Sequence, residues 1–390
     1  MNGTGLMIGM GGGTRYALAK SRGESRKADR IFTNAAYMVG CFAVLYVLLG
    51  AVLSERLVKF LGADHTVFSM TNTYLKVMLL FAPAFLTNNL LQCFVRNDGK
   101  PLLSMAAMIT GSLSNVVLDY LFIFPFKMGI FGAILATGLA PVISIGVLSI
   151  YFIGKKNGFH LRKSAPDAGK ILETISSGIP PFVTELSSGI VMFLFNFIIL
   201  RLEGNTGVAA FGVITVISLV VVAMYTGLSQ GIQPIMSVNH GTGNADGVKT
   251  IRKYAMIVVL LLSGTIYAVI FFRAPQLAFI FNGERNETLQ SLAVTGLKLY
   301  FLACPFIGFN IVTATYFTST ERPRPAQILS FLRGLLVLVP AAFLLSEILK
   351  MTGVWLAYPM TECVVAVVGV VFFAAFDHRK IDCTKICDEI

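Results

Sequence analysis

The chain has 390 residues, 55% of them hydrophobic and only 13% charged, with a mean hydropathy of +0.76. A soluble domain carries about 25% charged residues, so the composition excludes a water-soluble globular protein and implies a polytopic membrane protein. The net charge of +11 does not argue for nucleic acid, because the basic residues fall in short loops between apolar runs and not along one helix face.

The first segment, residues 5–19, is short for a span and is interrupted by Arg15; Gly5, Gly9 and Gly13 form a small-residue stripe that permits close helix packing. Ten apolar runs of spanning length, roughly 20 residues, follow at about 32–53, 74–96, 102–124, 129–153, 178–200, 207–234, 253–272, 292–318, 325–346 and 353–376. Alternate loops, together with the C-terminal tail, hold 20 of the 31 Lys and Arg, against nine in the other set of loops and helix ends. Positive charge marks the cytoplasmic side. The expected organisation is an N-terminal lobe over 1–154, a cytoplasmic inter-lobe linker over 155–177, a C-terminal lobe over 178–376 and a cytoplasmic tail over 377–390.

The two lobes repeat one another. Lys76 and Lys298, Pro83 and Pro305, and Pro101 and Pro323 all stand 222 residues apart; Gly129 and Gly353, and Thr137 and Thr361, stand 224 apart; Gly11 and Gly231, and Gly23 and Gly243, stand 220 apart. An ordered series of this kind in an apolar chain points to a duplicated transporter with its site between the halves. The frame sets Met1 opposite Val221, inside a helix of the second half. The first half is therefore expected to lack its first helix and part of its second.

A charged carboxylate facing lipid inside a span costs several kcal/mol, so such a group normally faces a cavity or a partner and often titrates. Asp119, Glu185 and Glu362 qualify. Asp119 stands one turn after Asn115 on one helix face; with Thr137 from the next helix and Gln92, or Asn88 and Asn89, from the preceding one, it offers oxygens suited to a proton or to Na⁺. The alternative is that Asn115 and Asp119 bond a neighbouring helix end. Glu185 has small and hydroxylic neighbours that admit water or a cationic substrate, with a packing hydrogen bond as the competing reading. Gln230 and Gln233, a turn apart beside Pro234, line a cavity or mark a kink, and Asn310 is assigned with them as a substrate contact. Glu362, next to Thr361, reads as structural rather than functional. The cysteines and histidines show no metal-ligand spacing, so no metal is expected.

Gln230-Gly-Ile-Gln-Pro234 followed by Asn239-His-Gly-Thr-Gly-Asn244 resembles the Q-G-x-Q-P…N-x-G-A-x-N signature of multidrug and toxic compound extrusion (MATE) transporters. Asn115-Val-Val-Leu-Asp119, with Gly99-Lys-Pro101 before it and Gly132-Ala-Ile-Leu-Ala-Thr137 after it, resembles that family's first-half motif, and Gly178-Ile-Pro180 fits the opening of the second half. Thr242 stands where the family usually has Ala, and Tyr120 where Pro often follows the Asp. The resemblance implies an all-α membrane fold of two six-helix repeats related by a pseudo-two-fold along the membrane normal. It implies that Asp119, Asn115 and Thr137 help bind the coupling cation, and that the absent first helix would supply a further carboxylate there.

The function expected is a cation-coupled antiporter, driven by H⁺ or Na⁺, that exports organic, cationic compounds by alternating access. It would work as a monomer in the lipid bilayer of the cell membrane with its C-terminus inside, bind no nucleic acid and need no cofactor. The alternatives are a flippase for lipid-linked saccharides, which would line its cavity with Arg and Lys where only Arg15 and Arg333 lie within spans; a membrane-embedded enzyme, for which the spans show no metal or nucleophile arrangement; and an inactive fragment.

Overall fold

The computed structural model describes residues 1–60, 65–283 and 285–388, with side chains described except at 60–66, at 284 and from 376 onward. The tail expected over 377–390 thus lies outside the described side chains. Every regular element among the described residues is helical: α1 (Asn2–Ser21), α2 (Ser25–Val52), α3 (Ser54–Phe60), α4 (His65–Leu80), α5 (Ala82–Asn97), α6 (Pro101–Ile123), α7 (Gly129–Ile153), α8 (Ala168–Gly241), α9 (Ala245–Phe281), α10 (Glu287–Tyr300), α11 (Cys304–Ser319), α12 (Pro323–Phe331) and α13 (Leu338–Asp388). Among the described residues seven rods are long and apolar enough to cross a membrane, and the pair 67–80 and 82–97, bent by 47°, adds one more. Two of the rods hold two predicted spans each. They break where the backbone turns left-handed, at Gly204 (φ 62°) in α8 and at Lys350 (φ 53°) in α13.

Helix boundaries follow the repeat. Both α5 and α11 carry proline in the first turn, where a missing N–H costs nothing, and they occupy 82–97 and 304–319, a uniform offset of 222. The turns that join helices match as well: Gly23 and Gly243 share φ 76°, and Gly99 (φ 89°) has Glu321 (φ 59°) as its mate. One difference lies inside a span. Residues 332–336 form a π turn, closed by Val337 N–H donating to Leu332 O at 3.0 Å. Its extra residue shows in the register, since the prolines that open α6 and α12 are 222 apart whereas Lys127 and Lys350, both at φ 53°, are 223 apart.

Two compact units divide the described chain: Met1–Phe182 with Ser237–Gly243, and Val183–Met236 with Asn244 onward. In the first unit the glycine stripe packs α1 on α5. A Cβ on Gly9 would lie 2.7 Å from Asn89 O, and one on Gly13 would lie 2.8 Å from Asn97 Nδ2. Another face of α1 meets the start of α8, where a Cβ on Gly178 would lie 2.0 Å from Met7 O. This close approach is why the first unit runs past residue 178. Gly178→Ala is expected to destabilise the protein by about 1–3 kcal/mol, the range for overpacking a tight contact, whereas Gly146→Ala, with nothing within 4 Å of its Cβ, is expected to be neutral. Thermal unfolding in detergent, followed by size-exclusion, checks the pair.

Residues 155–177, expected as a linker, also belong to the first unit, and 157–167 are fastened along α2 and to the end of α5. Asp29 accepts from Arg162 Nε (2.7 Å) and His160 N (3.0 Å), Thr33 Oγ1 from Arg162 N (3.0 Å) and Asn34 Oδ1 from Asp167 N (2.8 Å). Asp98 pairs with Lys20 and accepts from Tyr16 (2.5 Å), Tyr151 (2.6 Å) and Gly158 N (2.6 Å). Burial alone would raise the Asp98 carboxyl, but these donors outweigh it and hold it below the usual carboxylate range.

The second unit is built on aromatic packing. Phe195 stacks on Phe211 at 5.4 Å, Phe211 on the fully buried Trp355 at 6.3 Å, and Tyr300 on Tyr358 at 4.7 Å with an interplanar angle of 9°.

Candidate functional site

In the first unit, Asn115 and Asp119 occupy one face of α6 near its C-terminal end. Asp119 Oδ1 and Asn115 Nδ2 are both buried and have no hydrogen-bond partner among the described residues. Leaving such atoms unsatisfied costs about 1–3 kcal/mol each, so their persistence in an apolar span calls for a reason. Thr137 Oγ1 donates to Ala133 O of its own helix at 3.0 Å. Gln92 Nε2 donates to Asn88 Oδ1 (3.1 Å) and Ser144 Oγ (3.2 Å). Asn115 and Asp119 thus share a face of α6, and among the described residues no hydrogen bond runs to them from Thr137 or Gln92.

The second unit contains a cavity of about 310 Å³ whose walls include Ser187, Met192, Phe211, Tyr300, Arg333 and Tyr358. Glu185 is exposed and does not line it, although its neighbours Thr184, Ser187 and Ser188 do. Gln233 is buried and Gln230 half-buried; neither is among the lining residues. Asn310 is engaged elsewhere: its Nδ2 donates to Glu362 Oε2 at 2.7 Å and to Glu362 O at 2.9 Å.

That contact leads to a group whose members stand far apart in the chain. Glu362 is fully buried, and its other oxygen accepts from Arg333 Nε at 2.5 Å. Arg333, 13% exposed, comes from the π turn, and its guanidinium also interacts with Tyr358. Removing two charges from water is repaid only where geometry is good and the remaining lone pairs are satisfied; here Arg333 and Asn310 satisfy one carboxylate oxygen each. The first half has no charged residue at the mates of this pair. In the repeat frame Arg333 falls opposite Gly111 and Glu362 opposite Gly138, and Gly138 is closed over by Phe81, 2.4 Å from where a Cβ would stand. By contrast the mates Thr137 and Thr361 make the same bond, each to the carbonyl four residues back, at 3.0 and 2.8 Å. The signal that would have found the pair is an Arg and a Glu both inside spans of one half, since neither is tolerated there alone.

Membrane-spanning rods in two units with matching helix boundaries define a polytopic helical membrane protein. A family model, MatE, matches residues 3–121 and 180–344. Multidrug export protein MepA of Staphylococcus saprophyticus is 26% identical over 390 residues, which takes in 99% of this chain and 85% of that protein. MepA of Staphylococcus aureus is 23% identical with the same coverage. The fold is similar to that of a MOP superfamily transporter from Pyrococcus furiosus, with a TM-score of 0.88 at 22% identity, covering 95% of this chain and 83% of that one. It is also similar to a multidrug resistance MATE family transporter in an outward-facing conformation, with a TM-score of 0.86 at the same identity and coverage. The chain belongs to the MatE family, that of the multidrug and toxic compound extrusion transporters.

Proposed function

We propose that this transporter is a cation-coupled exporter of organic, cationic compounds, in which H⁺ or Na⁺ bound in the first unit drives alternating access. It works as a monomer in the cell membrane with its C-terminus on the cytoplasmic side. Family membership and the multidrug export proteins among its relatives support efflux. The observation that carries the coupling site is the pair of buried, unpartnered atoms, Asp119 Oδ1 and Asn115 Nδ2, on one face of α6. An unsatisfied carboxylate oxygen within a span is suited to take up a proton or a hard cation. Thr137 and Gln92 complete the site when their hydroxyl and amide turn toward that face. Glu185 and Gln230 serve the organic substrate directly, and the buried Gln233 and Asn310 support its path from behind, Asn310 through its bond to Glu362.

The test is efflux from proteoliposomes under an imposed pH gradient, an imposed Na⁺ gradient, or neither, with ethidium as the cationic probe and a neutral dye of similar size. Efflux faster with one gradient than with none is expected; equal rates in all three conditions would overturn the proposal. With Glu185→Gln, ethidium affinity is expected to fall about tenfold, the equivalent of 1.4 kcal/mol of lost charge attraction, while the neutral dye is unaffected. Equal behaviour of both dyes would remove Glu185 from the substrate path.

A further inference from the structure

The repeat sets the same surface in both units and inverts its charge. Helices α2 and α9 begin at Ser25 and Ala245, 220 apart, and α5 and α11 are offset by 222, so Asp29 stands opposite Lys249, Phe32 opposite Arg252, Phe94 opposite Tyr316 and Asp98 opposite Thr320. Contacts agree with that frame: the Phe32 ring lies 5.0 Å from the Phe94 ring, and the Arg252 guanidinium lies 5.3 Å from the Tyr316 ring. In the first unit the chain itself covers this surface. Phe159 is fully buried on Phe32 (4.6 Å) and Phe94 (5.6 Å), and the acids Asp29 and Asp98 hold the segment around it through Arg162 Nε, His160 N and Gly158 N. In the second unit neither acid is present at the mate positions, and the chain after Phe373 stays helical to Asp388. The surface there carries Arg252, half-buried over Tyr316 and over Phe373 at 4.9 Å, with no hydrogen bond and no carboxylate partner among the described residues.

We propose that this surface binds an anionic phospholipid, with the lipid phosphate on Arg252 and the acyl chains along the exposed apolar side of α9. A ring face attracts a guanidinium but does not satisfy its N–H donors, which need acceptors, and the planar fork of arginine matches a phosphate. The surrounding charge favours an anion. The start of α9 and the α11–α12 turn hold Lys249, Arg252, Lys253, Arg322 and Arg324 against the two acids Asp246 and Glu321. Lys249 and Asp246 pair at 3.7 Å with both side chains exposed, and a pair of that kind is weak and screened. Further along α9, Ile257, Leu260 and Leu261 are exposed as on a lipid-facing helix, which sets Arg252 at the level of the headgroups, where basic clusters beside membrane helices take anionic lipids. A zwitterionic lipid offers the same phosphate, but its own cation is repelled by the surplus of basic residues. The site lies in the unit that does not contain Asp119 and is independent of the coupling reading.

The test offers the full chain in detergent equal amounts of dioleoylphosphatidylglycerol and dioleoylphosphatidylcholine, and native mass spectrometry reads which lipid stays bound. The wild type is expected to prefer phosphatidylglycerol by at least about tenfold, the scale of a hydrogen bond to a charged group. Arg252→Phe, which installs the residue of the first unit on the same aromatic floor, should lower that preference at least about fivefold while the protein stays monodisperse. Arg252→Gln should do the same, so the result does not hang on the folding of one variant. Lys156→Gln removes an exposed charge of the first unit and should leave the preference unchanged. Excess inorganic phosphate should not displace the lipid, because it lacks the acyl chains. Equal binding of the two lipids by the wild type overturns the proposal, as does a preference that survives both Arg252 variants. So does a loss in Lys156→Gln as large as in those variants, which would mark diffuse surface charge, or displacement by inorganic phosphate, which would make the ligand a free anion. Lipid binding that rises when residues 377–390 are removed would make the tail the occupant and overturn it equally.

Discussion

Asp119→Asn is expected to reduce gradient-driven efflux to the background of empty vesicles while membrane abundance stays near the wild-type level. The asparagine keeps the shape of the side chain and one acceptor oxygen, but it cannot take up and release a proton and has no charge to hold Na⁺. Folding should tolerate the change. Asp119 Oδ1 has no partner among the described residues of the folded protein, so no native hydrogen bond is lost through it, and a neutral amide is cheaper than a carboxylate to place in a span. The measurement is efflux of ethidium in proteoliposomes under the driving gradient, normalised to reconstituted protein. Wild-type rates in the variant would make Asp119 structural. Asn115→Ala is expected to weaken the dependence on the driving ion less severely, because it removes a neutral ligand only.

The second large effect concerns stability. Arg333→Ala leaves Glu362 fully buried with one oxygen unpaired, and removing one partner of a buried pair typically costs about 3–5 kcal/mol. That is a large part of the roughly 5–15 kcal/mol that holds a typical folded protein together. Arg333→Ala is therefore expected to be recovered at low abundance and to aggregate on extraction. Replacing both members, Arg333→Gln with Glu362→Gln, removes the stranded charge, and abundance should return to near the wild-type level. Fluorescence-detected size-exclusion of tagged variants measures both. If the single variant is as abundant and as monodisperse as the wild type, the pair does not hold the second unit together.

The spans are legible because spanning length is a property of composition alone: an uninterrupted apolar run of about 20 residues is what a bilayer core demands of a helix and more than a soluble core does. Helix ends are legible through proline, which marks the first turns of α5, α6, α11 and α12 at matched positions. Where the chain bends is less so. The run at 74–96 reads as one span, yet it breaks between Leu80 and Ala82 by 47°. The fastening of 157–167 is hidden for a different reason. Its polar composition reads as a linker, and the acid that secures it, Asp29, lies 131 residues before its partner His160. Asp119 and Asn115 stand out because they are one turn apart on one helix. Glu362 reads only as an intramembrane acid with a structural role, while Arg333, 29 residues earlier, counts in the chain only as one of two cations within the spans. Pairing across helices is a tertiary fact that neither residue announces in the chain.

The π turn at 332–336 sets the second half apart from the first inside a span. An additional residue within an α-helix rotates everything beyond it by about 100°, which would turn a packed face outward. Here the surplus is absorbed in one wide loop of backbone, so that the helix regains its register before the left-handed turn at Lys350. The helix boundaries on either side of the π turn stay matched to within one residue, and the residue displayed by that distortion is Arg333. The distortion lies inside a span, next to the only arginine of the second half that is buried against a carboxylate among the described residues.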